Sequence, residues 1–185
     1  MADVIGPGTC EHHAHTDVLR FTLHLAHPVH RVWPAVATPA GLRGWLAAAE
    51  PLEPRLGGAV TLRWLNSDDS GESTADGTTG GEGTVAEGTV TAWDVEHVAE
   101  YTVTVHDRIR FHLAPDGQTN GTVLRFTNEV AVSGEAERLS RLAGWHQHLE
   151  YLVEFLDGRQ DWSAWTLDRY RELYAAYESP GGRQS

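Results

Sequence analysis

The chain has 185 residues and a formal net charge of -12 at pH 7, a length that allows one domain with a sizeable core and some extension. The negative charge, which no local basic cluster offsets, argues against nucleic acid and anionic membrane surfaces as partners. A single cysteine, no signal-peptide pattern and no apolar stretch of about 18 residues together favour a soluble cytoplasmic protein.

The first 17 residues form a polar segment that contains Gly and Pro and shows no hydrophobic period. Cys10 and three histidines, His12, His13 and His15, lie close together in it. Thiolate and imidazole are the usual ligands of zinc and nickel, so this group could bind a metal. Its spacing matches no closed structural site, however, and chain termini tend toward disorder. We therefore expect residues 1–17 to be a mobile tail with incidental metal affinity, and we assign no metal or cofactor.

From residue 18 the sequence predicts a strand, two short helices and a second strand. Apolar and polar side chains alternate over 18–25, which is typical of a half-buried strand. Pro28 can begin a first short helix, and Thr38 followed by Pro39 is a start signal for a second one. A glycine pair then predicts a turn before a strand over 60–64.

A long polar loop and four more strand candidates follow. Residues 66–83 are almost free of apolar side chains, so we expect a mobile loop, either a tolerated insertion or a functional lid. The strand candidates cover 84–95, 99–106, 108–113 and 122–132. Asp-Gly and Asn-Gly pairs between the last two predict a hairpin. The pattern indicates an antiparallel meander with one apolar face.

Residues 139–156 predict a long amphipathic helix that covers the apolar face of this sheet, because their apolar side chains recur at helical spacing. Ser133 can cap the start of the helix, and Gly158 can end it. Gly144 costs roughly 1 kcal/mol relative to alanine inside a helix, so we expect a close backbone approach or a ligand to use the missing side chain.

The segment 159–185 predicts one more helix, over 162–177, with Asp161 as its cap. Its tryptophan and tyrosine side chains supply much aromatic area that should be buried somewhere. Two alternatives remain open: the helix packs on its own domain, or it forms a homodimer interface with a second subunit.

The order of these elements, with several local motifs, resembles the START-like helix-grip superfamily. Within it the chain is similar to the family named for the activator of heat-shock protein 90 ATPase. The resembling segments are 28–33 (PVHRVW), 38–46 (TPAGLRGWL), 57–58 (GG), 88–90 (GTV), 121–126 (GTVLRF), and 144–145 (GW) leading into Leu149 and Leu152. They span residues 18–158, which we take as the domain, between the tail and the aromatic extension.

The resemblance implies an α+β helix-grip fold. In this fold a curved antiparallel sheet wraps around a long C-terminal helix, with two short helices after the first strand and, here, an additional C-terminal helix. It also implies a deep cavity between the long helix and the sheet that holds a hydrophobic small molecule. The candidate ligand-binding residues are Trp33, Trp45, Trp64, Phe111, Phe126, Asn128, Trp145, His146 and Leu149.

Each of these residues has an alternative interpretation. The aromatic and leucine side chains can simply form core. Asn128, predicted on an apolar face, must bond either to a neighbour or to a ligand, because an unpaired buried amide costs about 1–3 kcal/mol. His146 can orient a ligand, or it can be a core histidine with satisfied hydrogen bonds.

The resemblance implies three alternative functions. The first is a module that binds a hydrophobic small molecule, the second a protein-interaction or chaperone-ATPase-stimulating role, and the third a polyketide cyclase or dehydratase type of enzyme. The chain shows no Ser-His-Asp arrangement, no phosphate-binding glycine loop and no His-Glu-x-x-His motif. We therefore assign no catalytic residue and place the binding module first.

Overall fold

The computed structural model describes residues 5–66 and 84–179. The predicted loop 66–83 lies outside this description except for its first residue. Within the described ranges the strands are β1 (Thr9–His12), β2 (Thr16–Leu25), β3 (Ala47–Leu52), β4 (Ala59–Trp64), β5 (Val85–Asp94), β6 (Val98–Val103), β7 (Asp107–Pro115) and β8 (Thr122–Ala131). The helices are α1 (Val29–Ala37), α2 (Pro39–Arg43), α3 (Glu135–Leu156) and α4 (Leu167–Glu178), with a 3-10 turn at Trp162–Ala164 before α4. None of these helices is long and apolar enough to cross a membrane.

The described strands form one antiparallel sheet in the order β1-β2-β8-β7-β6-β5-β4-β3. Strands β4 to β8 follow one another as the predicted meander, and β2 closes on β8 so that Phe21 lies opposite Phe126. On the other side of β8, Phe126 lies opposite Phe111. Because side chains alternate along each strand, the residues of this register turn one face of the sheet toward the core.

The two short helices begin as their sequence predicts. Thr38 ends α1 and caps α2, since its hydroxyl accepts a hydrogen bond from the Gly41 amide at 3.0 Å, and Pro39 occupies the first helical position. The Trp45 indole then donates to the Ala35 carbonyl at 2.9 Å, which ties the end of α2 back onto α1. The Tyr101 hydroxyl of β6 donates to the Val36 carbonyl at 2.8 Å, which holds α1 against the sheet.

The long helix α3 lies across the sheet, and its buried side chains include Leu142, Trp145 and Leu149. This arrangement confirms the expected α+β helix-grip fold. The helix begins at Glu135, four residues before the predicted start, and Ser133 does not cap it. The Ser133 backbone N–H and hydroxyl instead donate to Asp17 at 3.1 and 3.3 Å. Gly158 has φ +71, the left-handed conformation expected just after the helix.

Two of the strands, β1 and β3, are not predicted from the sequence. Residues 9–12, predicted as part of a mobile tail, pair with β2 as β1 instead. The Gly8 amide also donates to the Tyr177 hydroxyl at 2.8 Å, so α4 holds this strand in place. Strand β3 contains three consecutive alanines, which carry no strand propensity of their own, and it forms because β4 offers it a partner.

The C-terminal extension packs on its own domain. Tyr170 donates a hydrogen bond to Ser140 of α3 at 2.9 Å, and Leu173 and Tyr177 are buried. Helix α4 starts later than predicted because Asp161 caps only the 3-10 turn, while Thr166 caps α4 through the Arg169 amide. Of the two alternatives for the extension, the described chain uses packing in cis. The homodimer stays a prediction.

Candidate functional site

A closely packed layer of side chains lies between the middle of the sheet and α3. Trp45, Phe111, Phe126 and Leu149 are each 0 % exposed and belong to one hydrophobic core. The ring centroids of Phe111 and Phe126 lie 5.4 Å apart, and those of Phe126 and Trp145 lie 4.5 Å apart. Aromatic rings at these separations make ordinary core contacts. The structure therefore places these four predicted ligand-binding residues in the core.

Both the nitrogen and the oxygen of the Asn128 side-chain amide form hydrogen bonds with neighbouring residues. Its Nδ2 donates to the His106 carbonyl at 2.7 Å and to the Arg108 carbonyl at 3.0 Å. Its Oδ1 accepts from the Trp145 indole at 2.9 Å. Because these three bonds satisfy a fully buried amide, Asn128 connects the β6–β7 turn to α3.

His146 and Trp33 also have protein partners, outside the cavity described next. The His146 Nδ1 lies 2.8 Å from the Tyr177 hydroxyl, and its Nε2 lies 3.6 Å from Glu150. Burial lowers the pKa of His146, and the opposing effect of Glu150 is smaller. Trp33 packs edge to face on Trp93, with ring centroids 5.3 Å apart.

A partly enclosed cavity of about 730 Å³ lies beside the core. It is bounded by the first half of α3, by α4, and by the end of the sheet where β4 stops and the β6–β7 turn projects. Two of the predicted ligand-binding residues, Trp64 and Trp145, line it. The other aromatic lining residues are His106, His148, Trp165, Tyr170 and Tyr174.

The aromatic rings around the cavity pack against one another. The His106 imidazole stacks on Trp64 with centroids 4.2 Å apart, and it meets Trp145 edge to face at 5.8 Å. On the other side, His148 and Trp165 have centroids 4.8 Å apart. Aromatic surfaces held in this way give a ligand large apolar contact areas at low entropic cost.

His148 contributes a neutral polar group. Its side chain is 4 % exposed, and its Nδ1 lies 3.4 Å from the Trp45 carbonyl. Burial lowers the pKa of His148 to about 3, which leaves the imidazole uncharged near neutral pH. A group with so low a pKa is a weak general base at pH 7, so His148 serves as a hydrogen-bonding group.

Gln147 presents an acceptor that the described protein does not use. The residue is 1 % exposed, and its Nε2 donates to the Thr166 carbonyl at 3.0 Å, which links α3 to the start of α4. Its Oε1 is buried and has no hydrogen-bond partner within residues 5–66 and 84–179. An unsatisfied buried acceptor costs about 1–3 kcal/mol, and a ligand that donates a hydrogen bond would recover this cost once the Gln147 side chain turns its oxygen toward the cavity that the residue lines.

Two further features of α3 shape the cavity. The charged lining residues Glu137 and Arg141 pair with each other at 2.8 Å, so each compensates the other's charge. Gly144 lies between them and Gln147, and a Cβ built there would meet no described atom within 4 Å. The glycine therefore widens the cavity, in agreement with the ligand alternative that its position in the sequence indicates.

The polar lining of the cavity was not predicted from the sequence. Ser140, Arg141, Gly144, Gln147 and His148 recur at three- and four-residue spacing, which places them on one side of α3. That spacing was visible, but the residues are polar or small and do not match the apolar stripe. The aromatic residues of α4 were noticed, although their position over this side of α3 is not encoded locally.

The fold has many relatives among solved structures. A conserved protein of unknown function from Enterococcus faecalis, EF2215, matches with a TM-score of 0.66 and 13% identity over 92% of this chain and 88% of that one. The crystal structure of CalU16 from Micromonospora echinospora matches with a TM-score of 0.62 and 15% identity over 96% and 97%. The solution structure of an AHSA1-like protein from Aeromonas hydrophila gives 0.59 and 15% over 76% and 92%. At these identities the likeness shows the fold alone.

The family assignment rests on a separate comparison. No curated protein matches the chain significantly. A family model described as "Activator of Hsp90 ATPase homolog 1-like protein" matches residues 26–157, which run from just before α1 to the end of α3. Because this match spans most of the chain and the observed fold agrees with it, the chain belongs to the Activator of Hsp90 ATPase homolog 1-like family.

Proposed function

We propose that this protein binds a neutral, largely apolar small molecule that carries at least one hydrogen-bond donor. The observation that carries the proposal is the cavity of about 730 Å³ between α3, α4 and the end of the sheet, walled by aromatic rings. Small-molecule sites have volumes of roughly 300–1,000 Å³ and combine apolar walls with a few placed polar groups. The cavity has this size and this composition.

The polar groups of the lining restrict the class of ligand. Glu137 and Arg141 compensate each other's charge and His148 is neutral, so the lining has little net charge; the Arg141 Nε, which has no hydrogen-bond partner within the described residues, adds one donor for a neutral acceptor on the ligand. The Gln147 Oε1 favours a hydroxyl or an N–H donor at the wall of α3. The broad rings of Trp64, Trp145 and Trp165 favour an aromatic or polycyclic body.

The proposal is tested by filling the cavity at Gly144. In Gly144→Phe the new ring projects into the open space, whereas Gly144→Ala adds one methyl group and serves as the matched control. We expect apolar fluorescent probes and ligands detected by native mass spectrometry to bind the wild type and Gly144→Ala. Binding to Gly144→Phe should weaken at least about tenfold, since a drug-sized ligand loses most of its buried area there.

The donor preference is tested with a matched pair of probes, 2-naphthol and naphthalene. We expect the wild type to prefer 2-naphthol by about fivefold or more, which corresponds to one hydrogen bond of about 1 kcal/mol. Gln147→Leu should abolish this preference while still binding naphthalene. Equal affinities of the wild type for both probes would refute the role of Gln147. Failure of both probes to bind the wild type, or undiminished binding to Gly144→Phe, would refute the cavity as the site.

The other functional hypotheses from the sequence stay predictions. They are the chaperone-ATPase-stimulating role, the cyclase-type enzyme, the homodimer and the cytoplasmic location. The two polar residues on which the enzyme hypothesis depends, Asn128 and His146, do not line the cavity, and their side chains bond to the Trp145 indole and the Tyr177 hydroxyl.

A further inference from the structure

The β1–β2 hairpin brings three potential metal ligands to one point. In its register His12 lies opposite Asp17, and Cys10 lies opposite Leu19. Directly opposite residues of a pair share a face, and so do residues two apart on one strand. Cys10, His12 and Asp17 therefore project to the same side, where a thiol sulfur, an imidazole nitrogen and a carboxylate oxygen all lie within 4.8 Å of one another.

We propose that Cys10, His12 and Asp17 bind a Zn²⁺ ion. Sulfur, nitrogen and oxygen ligands together suit zinc, and three protein ligands leave one tetrahedral position for water. With metal–ligand bonds of about 2.0–2.3 Å, ligand atoms in such a site lie roughly 3.5 Å apart. The separations of up to 4.8 Å must change by about 1.3 Å at most to reach this value, and the His12 side chain, 55% exposed, is free to move.

The carboxylate of this group is already oriented. Asp17 is 1% exposed, and its Oδ2 accepts hydrogen bonds from the Ser133 amide at 3.1 Å and the Ser133 hydroxyl at 3.3 Å. Its Oδ1 faces the His12 Nδ1 at 2.7 Å. Bound zinc would take the place of the proton between these two atoms. Hydrogen bonds to the far oxygen of a ligating carboxylate are a regular feature of metal sites, where they fix its orientation.

His13, which is adjacent to His12, distinguishes this proposal from metal binding by a histidine-rich segment without defined geometry. His13 follows His12, so its side chain projects from the opposite face of the sheet, where it lines a surface recess with Arg20 and Arg110. Its Nε2 lies 3.8 Å from Glu11. The proposal therefore requires His12 and does not require His13, although the two are adjacent and both exposed.

The test is a Co²⁺ titration of the full chain without an affinity tag, after treatment with a chelator. We expect one Co²⁺ per chain, a thiolate-to-cobalt charge-transfer band, and displacement of Co²⁺ by Zn²⁺. Cys10→Ser should lose the band, and His12→Ala should weaken binding by more than about tenfold, as losses around metal sites do. His13→Ala should keep both the band and the affinity.

Other results would overturn the proposal. These are no bound Co²⁺, a charge-transfer band that persists in Cys10→Ser, or equal weakening in His13→Ala and His12→Ala. The last result would mean that the Co²⁺ affinity comes from a histidine-rich segment with no defined arrangement of ligands. Asp17→Asn should also lose binding, and its fold is checked by circular dichroism. If Asp17→Asn does not fold, the test depends on His12→Ala, because the exposed His12 side chain can be removed without disturbing the fold.

Discussion

Asn128 shows how one polar residue organises this core. It lies on β8 with its side chain between the β6–β7 turn and the Trp145 indole, and its amide both donates and accepts there. Trp145 in turn forms a wall of the cavity and packs on Phe126. Asn128 thus positions a wall of the proposed ligand cavity although it does not line the cavity itself.

Replacement of Asn128 by alanine should lower the free energy of unfolding by about 1–3 kcal/mol, because the buried Trp145 indole and the His106 and Arg108 carbonyls lose a partner. Asn120→Ala in the exposed β7–β8 turn is the control and should change it by less than about 0.5 kcal/mol. The measurement is equilibrium unfolding in urea. Equal effects of the two substitutions would contradict the role assigned to Asn128.

Gly144 differs from Asn128 because it makes no side-chain contact and leaves the space beside α3 open. A methyl group there meets no described atom within 4 Å, and Gly144 is not among the described glycines with positive φ. Gly144→Ala should therefore raise the free energy of unfolding by roughly 0.5–1 kcal/mol through helix propensity. Thermal and urea unfolding measure the gain. A destabilised variant would mean that the backbone of α3 approaches a neighbour more closely than the structure shows.

At the scale of elements, α4 joins parts of the chain that are far apart in sequence. The Tyr177 hydroxyl accepts from the Gly8 amide at 2.8 Å and lies 2.8 Å from His146 of α3. Tyr170 and the Thr166 carbonyl add contacts to Ser140 and Gln147. The helix therefore closes one side of the cavity and also secures β1, which pairs with only one other strand.

Tyr177→Phe should loosen both β1 and α4, because it removes the hydroxyl that both depend on. We expect a loss of about 1 kcal/mol in stability and faster amide hydrogen exchange over residues 9–12. Tyr174→Phe, on the same helix, removes a hydroxyl that makes neither contact and is the control. Unchanged exchange in β1 after Tyr177→Phe would show that strand pairing alone holds β1.

At the scale of the whole molecule, acid should weaken the fold through its buried histidines. Burial lowers the pKa of His148 to about 3 and also lowers the pKa of His146, whereas a histidine in an unfolded chain has its ordinary pKa of 6.5. The unfolded chain therefore binds more protons below that value. Stability is fully present above about pH 6.5 and falls as the pH drops toward 3, with a slope of about 1.4 kcal/mol per pH unit for each such group.

His148→Gln should remove the contribution of His148 to this pH dependence of stability. We expect the dependence of unfolding free energy on pH to flatten by about 1.4 kcal/mol per unit between roughly pH 4.5 and 6. This window lies above the ordinary aspartate pKa of 3.8, below which Asp17 and Asp157 also contribute because hydrogen bonds in the folded protein lower their pKa values. His24→Gln, at an exposed side chain, is the control. An unchanged slope in His148→Gln would contradict a neutral buried imidazole.

The sequence by itself determined the local elements and the family. The Thr38-Pro39 start signal, the alternating strands and the long amphipathic helix each follow from neighbouring residues, so their prediction needed no knowledge of tertiary contacts. The ordered set of short motifs was enough for the helix-grip fold. Strand β3 was missed because its alanines have no propensity of their own, and β1 because its polar residues show no period.

Only the tertiary structure decided which apolar side chains form core and which border a cavity. Hydrophobic periodicity shows that Phe126 or Trp64 turns away from water, but not whether protein atoms or open space lie on its far side. That distinction depends on the separation of α3 from the sheet and on the docking of α4. The meeting of Asp17 with Cys10 and His12 likewise requires the β1–β2 register, because contacts between strands are set by pairing and not by spacing along the chain.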